Sequence, residues 1–242
     1  MKLKLLILCF ILISGPRLIG QVLEPILSFN DNPVTYSMHI TTDGEFYYTV
    51  NGGVAKDGKI SKFKLSGEYV TSYPIAQDMR SIMYSKKDKC LYINIKGKDI
   101  YKVVDIENGT IQLVHSGIYE NEQTTLALDP NGKNFYSMDN GILTIYNAKS
   151  GKVESKVSGL KCGPKGMKGS TTVAVDSKYL YTWDVDTKTI YVYSKNGSYK
   201  TSFIVKSGNI GHSLSAAYGL IFVAKSEMGK TATWYGYSLS VK

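Results

Sequence analysis

The chain has 242 residues, 43% of them apolar, with 29 Lys and Arg against 20 Asp and Glu and three Cys. That length suits one large domain with its own core, and 19 Tyr with 23 Gly favour strands over long helices. Three Cys exclude a disulfide framework. The formal charge of +9 comes from lysines scattered through turns, without a basic stripe interleaved with aromatics, so nucleic acid is not the expected partner.

The first segment, "MKLKLLILCFILISGPRLIGQ", carries Lys2 and Lys4, then an apolar run from Leu5 to Ile13, then small and polar residues. The run is shorter than the roughly 20 residues a bilayer needs, so residues 1–20 are expected to be a removable signal peptide. Residues 21–242 then form a single exported domain without a transmembrane segment, secreted or held in the periplasm or cell envelope. Removal of residues 1–20 leaves 26 basic against 20 acidic residues, which reads as a solvated basic surface, with attraction to acidic polysaccharide or an anionic envelope as the alternative.

A repeat with a period near 44 residues organises the rest. Its units open on "YSMHI" from Tyr36, "RSIMY" from Arg80, "TTLAL" from Thr124, "TTVAV" from Thr171 and "HSLSA" from His212, at steps of 44, 44, 47 and 41 residues. Each opening strand is followed by an aromatic-rich second strand, among them "CLYINI", "NFYSM" and "YLYTW", and by a third, such as "KDIYKVV" or "TIYVYS". The first four units add a fourth strand, and the fifth stops short of one. Residues 22–29, "VLEPILSF", can supply it, which covers a sheet edge and ties the termini together. Pro25 is acceptable in such an outer strand. Four short antiparallel strands per unit are the blades of a β-propeller. The fold expected is therefore an all-β propeller of five four-stranded blades, closed by the N-terminal strand; a sixth blade would need about 40 further residues.

The "LY" of the second strand followed by "I-x-V-Y" and "N-G" resembles the broad group of bacterial propeller repeats that includes the YVTN and NHL types. That resemblance implies the fold. Propellers serve as enzymes, receptors and scaffolds alike, so it implies no activity.

The motifs have structural readings. "DVD", with Asp184 and Asp186, falls in the turn between the second and third strands of the fourth blade, where Asp bonds local amides. It lacks the further oxygen ligands of a calcium loop. "GPKGMKGST" from Gly163 fails the spacing of a phosphate loop and is the longest connection between blades. His39, His115 and His212 lack zinc spacing, so neither a metal nor a cofactor is expected. Cys90 begins a second strand at one face and Cys162 lies in a connection at the other, roughly 17 to 20 Å away, so they are not expected to be bonded.

Polar residues converge where connections reach the inner strands and where second strands end, because both lie on one face of the disc. The first set is Tyr36, Asp78, Arg80, Glu122, Thr124, Thr171 and His212. The second is Asn51, Lys96, Asp139, Asp184 and Lys225. This channel mouth is the expected ligand site of a monomeric binding or scaffold module that recognises a protein or a carbohydrate. Arg80 offers a planar fork and Tyr36 a stacking face. The alternative is a hydrolase or lyase acting on an ester, lactone or glycan, for which Asp78 and Glu122 are the candidate carboxyl pair.

Overall fold

A computed structural model describes residues 22–31, 36–166, 168–227 and 230–241; the expected signal peptide lies outside them. Two short strands, β1 (Val22–Leu23) and β2 (Leu27–Asn30), precede the first blade, which is β3 (Ser37–Thr42), β4 (Phe46–Asn51), β5 (Lys59–Lys64) and β6 (Tyr69–Pro74). The second blade is β7 (Met79–Ser85), β8 (Cys90–Ile95), β9 (Ile100–Asp105) and β10 (Thr110–His115). The third is β11 (Ala127–Leu128), β12 (Asn134–Asp139), β13 (Ile142–Asn147) and β14 (Val153–Val157). The fourth is β15 (Ala174–Val175), β16 (Tyr179–Asp184), β17 (Thr189–Ser194) and β18 (Tyr199–Val205), and the fifth is β19 (Ser215–Ala217), β20 (Leu220–Lys225) and β21 (Thr233–Tyr237). Five sheets in a ring make the expected five-bladed propeller, and β2 pairs antiparallel with β21 to complete the fifth.

Closure differs from expectation in one respect. Residues 22–29 do not form one strand. The chain breaks at Glu24 to Ile26, and β1 adds parallel to β18, making the fourth blade five-stranded. Pro25 sits in the break, where its missing N–H costs no ladder bond. Lys206 N donates to the Leu23 carbonyl at 3.1 Å, and its ammonium pairs with Glu24 at 3.0 Å.

The core is divided into layers between blades, because both faces of each sheet are covered by neighbours. In "YLYTW", Leu180 packs towards the third blade with Val173, Met138 and Leu143. Tyr181 and Trp183 turn the other way, towards Leu214, Ile221 and Val223 of the fifth. Period-two alternation thus serves two apolar interfaces, which is why these strands read as continuous apolar and aromatic runs. Each fully buried Leu or Ile contributes about 1.5–3 kcal/mol.

In the first four blades, a tyrosine of the second strand ties that strand to the turn before it. The hydroxyls of Tyr48, Tyr92, Tyr136 and Tyr181 donate to Asp43, Asp88, Asp129 and Asp176 at 2.8, 3.1, 3.5 and 2.6 Å. Asp43 and Asp176 also accept turn amides, from Glu45 and Phe46 and from Lys178 and Tyr179. In the fifth blade Phe222 opposes Ser215 where Tyr181 opposes Ala174, and the turn shrinks to Tyr218 and Gly219.

The inner strands of blades three to five are shorter than the repeat suggests. Residues 124–126, 171–173 and 212–214 lie outside the ladders. The first two segments bond across blades instead: Thr125 N donates to the Thr171 carbonyl at 3.0 Å, and Thr125 Oγ1 to Thr172 Oγ1 at 2.7 Å. Cys90 and Cys162 are free and half-buried, as expected.

Candidate functional site

Arg80 opens the second blade's inner strand with its side chain only 7% exposed. Its Nη1 and Nη2 donate to the two carboxylate oxygens of Asp78 at 2.7 and 3.1 Å. Asp78 also accepts the Gly53 amide at 2.7 Å. Gly52 makes room for this arrangement, since a Cβ there would lie 2.5 Å from Arg80 Nη1. The fork foreseen for a ligand is therefore engaged within the chain, and Arg80 Nε is the guanidinium group left without a partner.

His212, at the same repeat position in the fifth blade, is 1% exposed. Its Nδ1 lies 3.3 Å from Thr171 Oγ1, and its Nε2 has no partner. Burial, and secondarily the Arg80 charge, pulls its pKa down to about 4. His39, on the inner strand of the first blade, faces the second blade: its Nδ1 contacts the Ile82 carbonyl at 2.8 Å. A carbonyl only accepts, so Nδ1 carries the proton. Burial lowers the His39 pKa to about 4 as well, which leaves Nε2 as a bare lone pair at neutral pH.

Several other expected residues serve the scaffold. Asn51 caps the following loop, donating to the Asp57 carbonyl and accepting the Lys59 amide. Thr124 is fully buried and donates to the Met138 carbonyl at 3.4 Å. Asp184 accepts the amides of Asp186 and Thr187, and Asp186 meets Lys168 on the surface, so "DVD" is a turn. Lys96, Glu122 and Lys225 are exposed. Tyr36 is 55% exposed, adopts φ of 63° and lays its ring against Gly53. The long connection after β14 is stitched down: Gly163 N donates to the Trp183 carbonyl at 2.9 Å. Gly169, at φ of 102°, could not carry a Cβ, which would sit 2.0 Å from that carbonyl oxygen.

Asp139, Thr171 and His212 do come together. They line a pocket of about 280 Å³ between blades three, four and five, beside Asn121, Gln123, Asn140, Lys165 and Ser170. Asp139 accepts the side-chain amides of Asn121 and Asn140 at 2.9 and 3.0 Å, which fixes one rim. Among the described residues, no apolar side chain lines this pocket.

A larger cavity, about 750 Å³, opens at the opposite end of the channel. Its walls are the inner strands, with Ala127, Ala174 and Ala216 among them, and its rim is the set of turns between first and second strands. None of the residues expected at the channel mouth lines it. A signal was present in the sequence: the inner strands carry Ala at positions where a filled channel would need bulk. Among the described residues, no group of three or more His, Cys, Asp or Glu could hold a metal ion.

No protein-family model matches the sequence, and no curated protein does. The fold is similar to the crystal structure of Myxococcus xanthus glutaminyl cyclase, with a TM-score of 0.64 at 11% identity over 91% of this chain and 97% of that one. A nidogen/laminin complex matches with a TM-score of 0.50 at 14% identity, over 77% of this chain and 70% of that one. At these identities the likeness is one of fold.

Proposed function

We propose that this five-bladed propeller is an exported binding module that takes a hydroxyl-rich carbohydrate ligand at the face formed by the approaches to the inner strands. One observation carries the reading: among the described residues, the pocket between blades three, four and five is lined by amide, hydroxyl, carboxylate, ammonium and imidazole side chains with no apolar one. Each sugar hydroxyl both donates and accepts, and amides and carboxylates on a rigid rim answer both needs. His212 Nε2, without a partner at the pocket, adds a further group to be satisfied by a ligand. The similar structures include an enzyme, a glutaminyl cyclase, and a nidogen/laminin complex, so a propeller of this kind is compatible with either use. Asp78, the candidate acid or nucleophile of the enzyme alternative, has both oxygens engaged by Arg80, which favours binding over hydrolysis.

A glycan array followed by titration calorimetry tests this. Gln123→Ala and Lys165→Ala remove pocket side chains without touching the core. Each is expected to weaken the best glycan about tenfold, the value of one hydrogen bond to a charged or polar group. Unchanged glycan affinity in both variants, or turnover of the glycan by the purified protein, would overturn the reading. Export is checked separately by N-terminal sequencing of the protein from the extracytoplasmic fraction, which should begin at Gln21.

A further inference from the structure

The cavity at the other end of the channel has a different chemistry from the pocket just described. Its depth is mostly apolar, built from Ile82, Met83, Leu128 and Val175 together with the inner-strand alanines, with His39 and Thr41 as buried polar members. About 750 Å³ is the volume of a small-molecule site. Among the described residues, three charged side chains line it: Lys86, Asp176 and Lys178, all on turns at the mouth. Asp176 is committed, accepting the Lys178 and Tyr179 amides at 2.7 Å each and the Tyr181 hydroxyl at 2.6 Å. Lys86 and Lys178 are exposed, and neither forms an ion pair among the described residues.

Among the described residues the lining therefore presents two ammonium groups without an ion pair at the rim, no uncommitted carboxylate, and an interior in which His39 and Thr41 are set among apolar side chains. An apolar body gains roughly 25 cal/mol for each Å² it buries there, and a negative head group is drawn to the rim by charges that have no competing partner. A cationic or hydroxyl-rich ligand would leave the lysines unanswered and desolvate its own polar groups against alanine and valine. We propose that this cavity is a second binding site, specific for a small amphiphilic anion: a carboxylate at the rim beside Lys86 and Lys178, with its apolar body lying along the inner strands. Ala216 is half-buried on β19 and lines the cavity, so its small side chain leaves the space that the apolar body fills.

Octanoate and octan-1-ol are the probes, measured by calorimetry and by displacement of 1-anilinonaphthalene-8-sulfonate fluorescence on the folded protein. Octanoate should bind at least tenfold more tightly than octan-1-ol in low salt, and the gap should narrow as salt rises. Lys86→Gln with Lys178→Gln, both on exposed turns, should remove that preference, whereas Lys200→Gln on the outer strand β18 should keep it. Ala216→Phe should abolish binding of both probes. Equal affinity for the two probes in the unmodified protein would overturn the anionic specificity. Octanoate binding unchanged in a natively melting Ala216→Phe variant would overturn the site itself, and so would a lysine double variant that keeps the full preference.

Discussion

His39 and His212 are each buried at the wall of the channel, and each keeps an unpaired Nε2. Burial is the first cause of both depressions, to a pKa of about 4. An unfolded chain protonates these rings near the ordinary pKa of about 6.5. Between those values the unfolded state binds protons that the native state refuses, so stability is lost as pH falls through that window and is unaffected above it. The loss should reach a few kcal/mol, at about 1.4 kcal/mol per unit of depression. Urea midpoints measured from pH 8 to pH 4 should fall on the acid side, and His212→Gln should flatten that limb; parallel curves would refute the assignment. The histidines were visible in the sequence as members of inner strands, but their partners were not. A repeat places a residue on a strand and says nothing of which neighbouring blade its ring will face. Arg80 shows the same limit: its position was legible, yet Asp78, two residues earlier in the same segment, engages its fork.

The closing elements were legible as a need before their form was. A fifth unit lacking its outer strand and an N-terminal segment without another role imply pairing, and β2 on β21 provides it. The division into two strands was hidden, because a short apolar run with one proline reads equally well as a single edge strand. The two strands carry different loads. Phe29 on β2 is 8% exposed and packs against Phe63 at 5.0 Å between ring centroids. Asp31, just beyond it, is 1% exposed and accepts from Ser37, Thr49 and Trp234. Val22 on β1 is 48% exposed. Phe29→Ala should therefore cost about 3–5 kcal/mol, and Val22→Ala less than about 1 kcal/mol, by chemical denaturation. Comparable losses at both positions would mean that β1 and β2 act as one closing unit.

At the scale of the molecule, the number of blades and the assignment of strands to them were readable because the repeat recurs in spacing and in its Ser or Thr, its "LY" and its turns. The pocket at the expected face was half readable: Asp139, Thr171 and His212 converge, while Asn51, Thr124 and Asp184 hold loops and turns. The large cavity was not legible in the loops and motifs, for a physical reason. The longer loops mark one face, whereas the cavity at the other arises from small side chains, and its sole trace in the sequence is the alanine of the inner strands.

The antiparallel pair that closes the ring joins residues 203 positions apart, as the contact between Asn30 and Thr233 records. A strand near the N-terminus, β2, is thus among the last to find its partner, and the fifth sheet must keep an open edge until the long loop between β2 and β21 has closed. Closure of so long a loop precedes its reward, so it should govern the rate of refolding. A chain threaded outward before it folds would hold no trapped, half-closed ring. The arrangement of Leu27 opposite Gly236 also makes a rearranged chain feasible. Starting that chain at Tyr36 and attaching residues 22–31 behind Val241 through a short Gly-Ser linker turns the closing pair into a hairpin. Stopped-flow refolding of this permutant should be faster than that of the parent while its equilibrium stability stays within about 1 kcal/mol, because only the order of events along the chain has changed. An unaltered refolding rate would place the barrier elsewhere in the ring.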